Sequence, residues 1–181
     1  SHYTEVVANM AKAPFYIDDT QGLTVNELRA RARRLVRKTG PLSLIVVDYL
    51  QLMSGSARAA AAENRAAEIS EISRGLKGLA KEMDVPVIAL SQLNRGVDAR
   101  TDKRPVMSDL RESGAIEQDA DVVFLVHRPD AYDKEDRPGE ADIIMAKHRN
   151  GPTDTFNLAF LGAYSKFKDM PQDYQSQQEA V

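Results

Sequence analysis

At 181 residues the chain has the size of one domain, and a domain of this size buries about 70% of its surface, enough for a real core. Its 43% hydrophobic and 28% charged content is ordinary for a globular protein, no apolar run reaches membrane-span length, no signal peptide opens the chain, and the absence of cysteine excludes disulfides and thiolate metal sites. The net charge of −3 equals the contribution of Asp169, Asp173 and Glu179 in a stretch without Lys or Arg, so residues 1–168 sum to zero; a bulk polycation is excluded, and an anionic ligand has to be held by a few placed residues.

In chain order, residues 3–11 read as a helix, entered without an initiating Met as though the chain were truncated there. Pro14 to Ile17 reads as a short strand. Thr24 and Glu27 have the spacing of a capping box, and the helix they open reaches Gly40, with an apolar stripe of Val25, Leu28, Ala32, Leu35 and Val36. Its other faces carry Arg29, Arg31, Arg33, Arg34, Arg37 and Lys38, read as a solvated outer surface. Leu42 to Val47 is a continuous apolar strand closing on Asp48. Ser54 to Ala62 reads as a mobile loop of small residues, and Ile69, Ile72, Leu76, Leu79 and Met83 then recur at helical steps. Pro86 to Leu90 is a second buried strand, closing on Ser91-Gln92. Residues 94–107 are irregular, a short helix from Ser108 breaks at Gly114, and Val122 to Val126 forms a third strand. A charged turn over 129–139 precedes strands at Asp142 to Ala146, Thr155 to Phe160 and Tyr164 to Phe167, and the Gln-rich residues 169–181 are expected to be a disordered tail.

Apolar strands without alternation, separated by amphipathic helices, predict a mostly parallel sheet with helices on both faces. The last strands lack intervening helices and are expected as antiparallel additions at the C-terminal edge. The fold class is therefore α/β.

In open parallel sheets, ligands bind beyond the carboxyl ends of the strands. Leu44 to Asp48 has the form of a Walker B segment, in which a dry strand fixes a carboxylate that can hold Mg²⁺ directly or through water; a strand simply ending in Asp at a turn is the alternative. Gln92 could contact a terminal phosphate or orient a water, or merely satisfy a local turn. Lys147 and Arg149, at i and i+2 on a strand, project to one face and are presented by the Asn150-Gly151-Pro152 turn, a pair suited to phosphate or to an exposed basic edge. His2, His127 and His148 lack partners at ligand spacing and read as structural. Asp109 to Gly114 combines a charged pair with a glycine, so that Arg111 and nearby backbone amides could face a phosphate. None of the ten glycines is followed by Lys, so the chain contains no Walker A loop.

Taken in order, VDYLQLM (47–53), EISRGLK (71–77), VIALSQLNR (87–95), KRP (103–105), SDLRESGAIEQDAD (108–121) and KHRNGP (147–152) resemble the C-terminal motor domain of bacterial DnaB-type replicative helicases. The resemblance covers residues 1–168 and implies a RecA-like fold, a homo-hexameric ring, and ATP- and Mg²⁺-driven movement on single-stranded DNA, with primase and a helicase loader as partners in the cytoplasm. It implies Asp48 as the Walker B aspartate and metal ligand, Gln92 as the glutamine coupling nucleotide state to DNA, and Lys147 and Arg149 as the lysine and arginine finger reaching a neighbour's γ-phosphate. Arg111, Glu112 and Gly114 match the second DNA-contacting loop. The stretch Ser54 to Arg65, with Asn64 and Arg65 at its end, matches the first. In the family the P-loop and the water-activating glutamate precede the point where this chain starts, so residues 1–168 are expected to be a partial motor domain. Another RecA-like ATPase, such as a recombinase or clock-type enzyme, and a non-catalytic RecA-like interaction module are the competing readings.

Overall fold

The computed structural model describes residues 2–57, 64–110 and 114–170. Helix α1 (His2–Lys12) leads to Pro14–Ile17, which stays extended with Phe15, Tyr16 and Ile17 exposed and pairs with no described strand, so the expected strand is absent there. Helix α2 (Val25–Thr39) starts at the expected capping box: the Thr24 amide donates to Glu27 Oε2 at 2.8 Å, and the Glu27 amide donates to Thr24 Oγ1 at 3.3 Å. It ends at Gly40, whose φ of 94° is available only to glycine at low cost. Much of its basic surface is neutralised within the fold, because Arg31 reaches Asp18 at 2.7 Å while Arg29 and Arg33 both reach Glu82.

Strand β1 (Ile45–Val47) is shorter than the apolar run suggests. Helix α3 (Arg65–Met83) follows, capped by Asn64 Oδ1, which accepts from the Ala67 amide at 3.2 Å. Ile69, Ile72, Leu76 and Leu79 are buried, as their spacing requires. The chain returns through β2 (Val87–Ala89), which pairs parallel to β1 in the register Ile45↔Val87, Val46↔Ile88, Val47↔Ala89. A short helix α4 (Gly96–Ala99) and a 3₁₀ turn at Met107–Asp109 precede α5 (Gly114–Asp119), and the residues between the turn's Leu110 and Gly114 lie outside the described residues. Strands β3 (Val122–His127), β4 (Glu140–His148), β5 (Asp154–Leu161) and β6 (Lys166–Asp169) complete a four-stranded antiparallel sheet in sequential order. Among the described residues no helix is long and apolar enough to cross a membrane.

The α/β class and the C-terminal antiparallel strands are as expected, but the division between sheets differs. Only β1 and β2 pair in parallel; β3, expected as a third parallel strand, pairs antiparallel with β4. Residues 128–139 hold a 3₁₀ turn at Pro129–Ala131 and no crossover helix, and such a link returns the chain antiparallel. Among the described residues, helices cover one face of these strands. Ile45, Val123 and Leu125 join the core with Ala32, Ile72, Leu76 and Ile116 from the helices, whereas Val46, Ile88, Phe124 and Val126 on the opposite side are all more than half exposed.

On β4, an inner strand of the antiparallel sheet, buried Asp142 accepts from Arg104 at 2.7 Å, from Arg137 at 2.8 Å and from Asn157 at 3.1 Å. Burial alone would push its carboxyl up, but Arg137, Asn157 and Arg104 together hold it well below the usual carboxylate range. Arg104 thereby ties the irregular segment after α4 to β4.

Helices α2 and α3 approach so closely at Gly75 that a Cβ there would lie 2.9 Å from Cγ1 of Val25. Val25 is β-branched and cannot rotate its bulk away. Gly75→Ala should therefore destabilise the fold by about 1–2 kcal/mol, overpacking outweighing the roughly 1 kcal/mol helix-propensity gain. In a Val25→Ala background the same substitution should stabilise. Urea unfolding of the four variants checks this, and a stabilising Gly75→Ala in the Val25 background would contradict the close packing.

Candidate functional site

Hydrogen bonds extend the parallel pair past its last strand residues: the Leu90 amide donates to the Val47 carbonyl and the Leu50 amide to the Leu90 carbonyl, both at 2.9 Å. Asp48 and Ser91-Gln92 therefore leave the sheet side by side at its carboxyl edge. The Asp48–Tyr49 peptide is cis. Asp48 and Gln92 are both exposed, open to a ligand over the strand ends.

The residue that joins them is Gln51, which the sequence reading passed over. Its Nε2 donates to Ser91 Oγ at 3.1 Å, and its Oε1 accepts from the Gln92 amide at 3.3 Å. The amide of Gln51 thus bridges the turn after β1 to the turn after β2. Its signal in the sequence was only its place three residues after Asp48, where it looks like any polar residue of a turn.

Arg65 packs beneath this bridge. Its guanidinium donates to the Gln51 carbonyl at 2.8 Å and the Met53 carbonyl at 3.5 Å, and pairs with Glu68 at 2.6 Å. Asn64 Oδ1 caps α3 and the Arg65 guanidinium holds the Gln51 and Met53 carbonyls, so both residues expected to contact DNA also make bonds within the fold.

Lys147 and Arg149 form a second cluster. Lys147 lies in β4 opposite Val123, and Arg149 stands just beyond the strand. Lys147 Nζ donates to the Glu117 carbonyl and Arg149 Nη2 to the Gln118 carbonyl at 2.7 Å, so both cations sit on the carboxyl end of α5, where helix carbonyls lack internal partners. The Arg149 amide also donates to the Asp121 carbonyl at 2.8 Å, and its guanidinium lies 3.3 Å from the Asp121 carboxylate. Lys77 of α3 donates to the other oxygen of Asp121, and this bond leads in holding that carboxyl below its ordinary value. Among the described residues no hydrogen bond or ion pair connects Lys147 or Arg149 with Asp48 or Gln92. A Cβ at Gly151 would lie 2.5 Å from the His148 ring, which would have to shift, and His148 Nδ1 lies 3.2 Å from the Pro152 carbonyl. His148 is structural, as is His127, buried on β3 and held by that burial below the usual imidazole range.

Arg111 and Glu112 lie outside the described residues. Gly114 begins α5, with nothing within 4 Å of where a Cβ would point, so space beside it is open. The residues just before 111 are firmly held: Asp109 and Leu110 are buried, and Leu110 forms an antiparallel bridge with Leu93.

No group of three or more His, Asp or Glu side chains able to cage a metal occurs among the described residues. The donor set fits Mg²⁺ only in the manner of Asp48, one exposed carboxylate completed by water and substrate oxygens. It fits one side of a triphosphate, since no glycine-rich phosphate cradle is present in this chain.

The sequence profile described as the DnaB-like helicase C-terminal domain matches residues 1–169. A replicative DNA helicase DnaB from Leifsonia xyli is 60% identical over 159 residues, covering 87% of this chain and 34% of the relative. A solved structure described as a DnaB-like replicative helicase and its interactions with primase is 42% identical with a TM-score of 0.84, over 93% of this chain and 40% of that one. The ATPase domain of G40P is also 42% identical, with a TM-score of 0.86, over 93% of this chain and 59% of that one. This chain spans about a third of the length of the curated relatives it matches.

Arg65→Ala should lower the unfolding free energy by about 1–2 kcal/mol, the range for half-exposed charge-assisted hydrogen bonds to backbone. Denaturant unfolding measures it, and an unchanged midpoint would show that the guanidinium anchors nothing.

Proposed function

Because this chain belongs to the DnaB-like helicase C-terminal domain family, we propose that it is the sensing, finger and DNA-loop portion of an ATP-driven replicative helicase motor. The proposed assembly is a cytoplasmic homo-hexameric ring that translocates on single-stranded DNA and works with a primase and a loader. The observation that supports this reading most is the separation of two phosphate-directed clusters. Asp48 and Gln92 share the carboxyl edge of the parallel pair, while Lys147 and Arg149 stand together elsewhere with no contact to them. A motor whose nucleotide lies between subunits needs that division, one cluster for its own ligand and one for its neighbour's.

In this reading Asp48 would hold Mg²⁺ directly or through water, and Gln92, its backbone fixed by Gln51, would turn its amide to the terminal phosphate. Bound MgATP supplies the phosphoryl group whose negative charge grows in the transition state. Arg149 neutralises that charge from the adjacent subunit, and Lys147 assists as a point charge. Leaving α5 costs each cation a hydrogen bond to a helix carbonyl, which a triphosphate more than replaces. Arg111, with Glu112 and the open backbone at Gly114, faces DNA phosphates without reading bases. Asn64 and Arg65, at the start of α3, are the residues of the first loop proposed to meet DNA. The neutral body fits repeated weak contacts around a channel, which a ring multiplies.

In the complete ring, Arg149→Ala should cut hydrolysis by about 10³–10⁵ while leaving assembly intact, read by steady-state turnover and light scattering. The isolated chain should bind ATP weakly and not turn it over. Normal turnover by an Arg149→Ala ring removes the finger assignment.

A further inference from the structure

Arg100 closes α4, eight residues after Gln92. Its guanidinium makes a two-pronged bond to Asp109, Nη1 to Oδ1 at 2.9 Å and Nη2 to Oδ2 at 2.8 Å, and Nη2 also donates to the Arg104 carbonyl at 2.8 Å. Asp109 is buried and accepts a further bond from the Val106 amide at 2.7 Å. The fork of Arg100 leads in holding this carboxyl below its ordinary value, so the pair is ionised throughout the neutral range.

What this pair holds is the junction of two segments. The Asn94 amide donates to the Asp109 carbonyl at 2.6 Å, and Leu93 bridges Leu110. Leu93 directly follows Gln92, and Leu110 directly precedes Arg111. Leu110 is itself in the core, and Leu93 packs against it. Arg104, whose carbonyl Arg100 grips, is pinned on its other side to Asp142 and Thr155. A movement of the Gln92 backbone therefore reaches the root of the 111–113 segment through one hydrogen-bonded bridge. The Arg100–Asp109 fork sets whether the two sides move together.

We propose that Arg100 and Asp109 are positioning residues that clamp the root of the DNA-facing segment to the strand end bearing Gln92, so that the nucleotide site and the DNA site sense each other through this ion pair. Neither residue touches nucleotide or DNA. The proposal rests on the roles assigned above to Gln92 and Arg111. Lys preserves the charge at position 100 but not the planar fork, so it does not replace Arg here. The prediction is a loss of coupling without a loss of either site, because coupling is a difference between states and not an affinity.

The test uses the complete helicase ring and compares Arg100→Ala, Arg100→Lys and the neutral hydrogen-bonding pair Arg100→Gln/Asp109→Asn, the last retained in case Ala leaves the buried Asp109 charge without a partner and the fold fails. Turnover is measured with and without oligo-dT, and oligo-dT affinity is measured with ADP and with a non-hydrolysable ATP analogue. Arg100→Ala or the double variant should keep DNA-free turnover within about twofold of the parent. Stimulation by oligo-dT should fall to near one, and the affinity difference between ADP and analogue should collapse, with Arg100→Lys only partly restored. A folded variant ring with parental stimulation and a parental ADP-to-analogue difference overturns the clamp. Gln92→Ala separates the two levels. If it loses stimulation while the Arg100 variants keep it, the clamp alone is wrong. If Gln92→Ala keeps full stimulation, the sensor reading beneath it is overturned, and the clamp with it.

Discussion

Pairing β1 to β2 in parallel obliges the chain to travel back along the sheet between them, and α3 makes that journey. The consequence is that both strands end at the same edge, with Asp48 and Gln92 as neighbours although more than forty positions separate them in sequence. Backbone pairing alone would leave the two turns free to drift. Gln51 stops this by bonding to both sides of the second turn, and Arg65 fixes Gln51 from below. The buried face of α3, with Ile69, Ile72 and Leu79 almost wholly enclosed, gives the crossover the packing energy that a pair of three-residue strands lacks.

The segment proposed to meet DNA is held at both ends. Before it, Asp109 and Leu110 are tied to Asn94 and Leu93, immediately after Gln92. After it, α5 carries Lys147 and Arg149 on its last carbonyls. The residues that follow Gln92 and the cations Lys147 and Arg149 thus hold opposite flanks of the same short stretch of chain. Lys77 and Asp121 add a fixed point by joining α3 to the strand that leads away from α5. In the proposed motor, moving the finger onto a neighbouring phosphate takes its hydrogen bonds away from α5 at the moment the neighbour is loaded. That geometry links the two events with no contact between them.

Much of this was legible in the sequence because burial and chemistry coincide there. Apolar runs such as Leu44 to Val47 and Val87 to Leu90 read as strands, although Val46 and Ile88 are more than half exposed, and a polar residue closing each one marks the edge where ligands bind. The Thr24–Glu27 box and the spacing of α3's apolar residues were equally plain. Strand partners were not. Val122 to Val126 is apolar at every position, yet its side chains alternate between buried and exposed, because the helices cover one side only. Such a run reads the same whether its neighbour is parallel or antiparallel. Pro14 to Ile17 has strand composition, but composition does not supply a partner. At Asn64 and Arg65 the hydrogen-bonding capacity was visible in the sequence, but the Ala67 amide and the Gln51 carbonyl as partners were not. Gln51 and Arg100 were missed because their significance lies entirely in what they touch.

The central claim is that the Asp48 and Arg149 clusters serve one nucleotide from two different subunits. Mixing inactive Asp48→Asn rings with inactive Arg149→Ala rings, after dissociation and reassembly, tests it directly. If the clusters act across an interface, a subunit with intact Asp48 beside one with intact Arg149 makes a working site, and an equal mixture regains up to about a quarter of the parental ATP turnover. If the two residues must lie in the same subunit, no mixed ring contains a complete site. Turnover no higher than that of either inactive parent would then contradict the account.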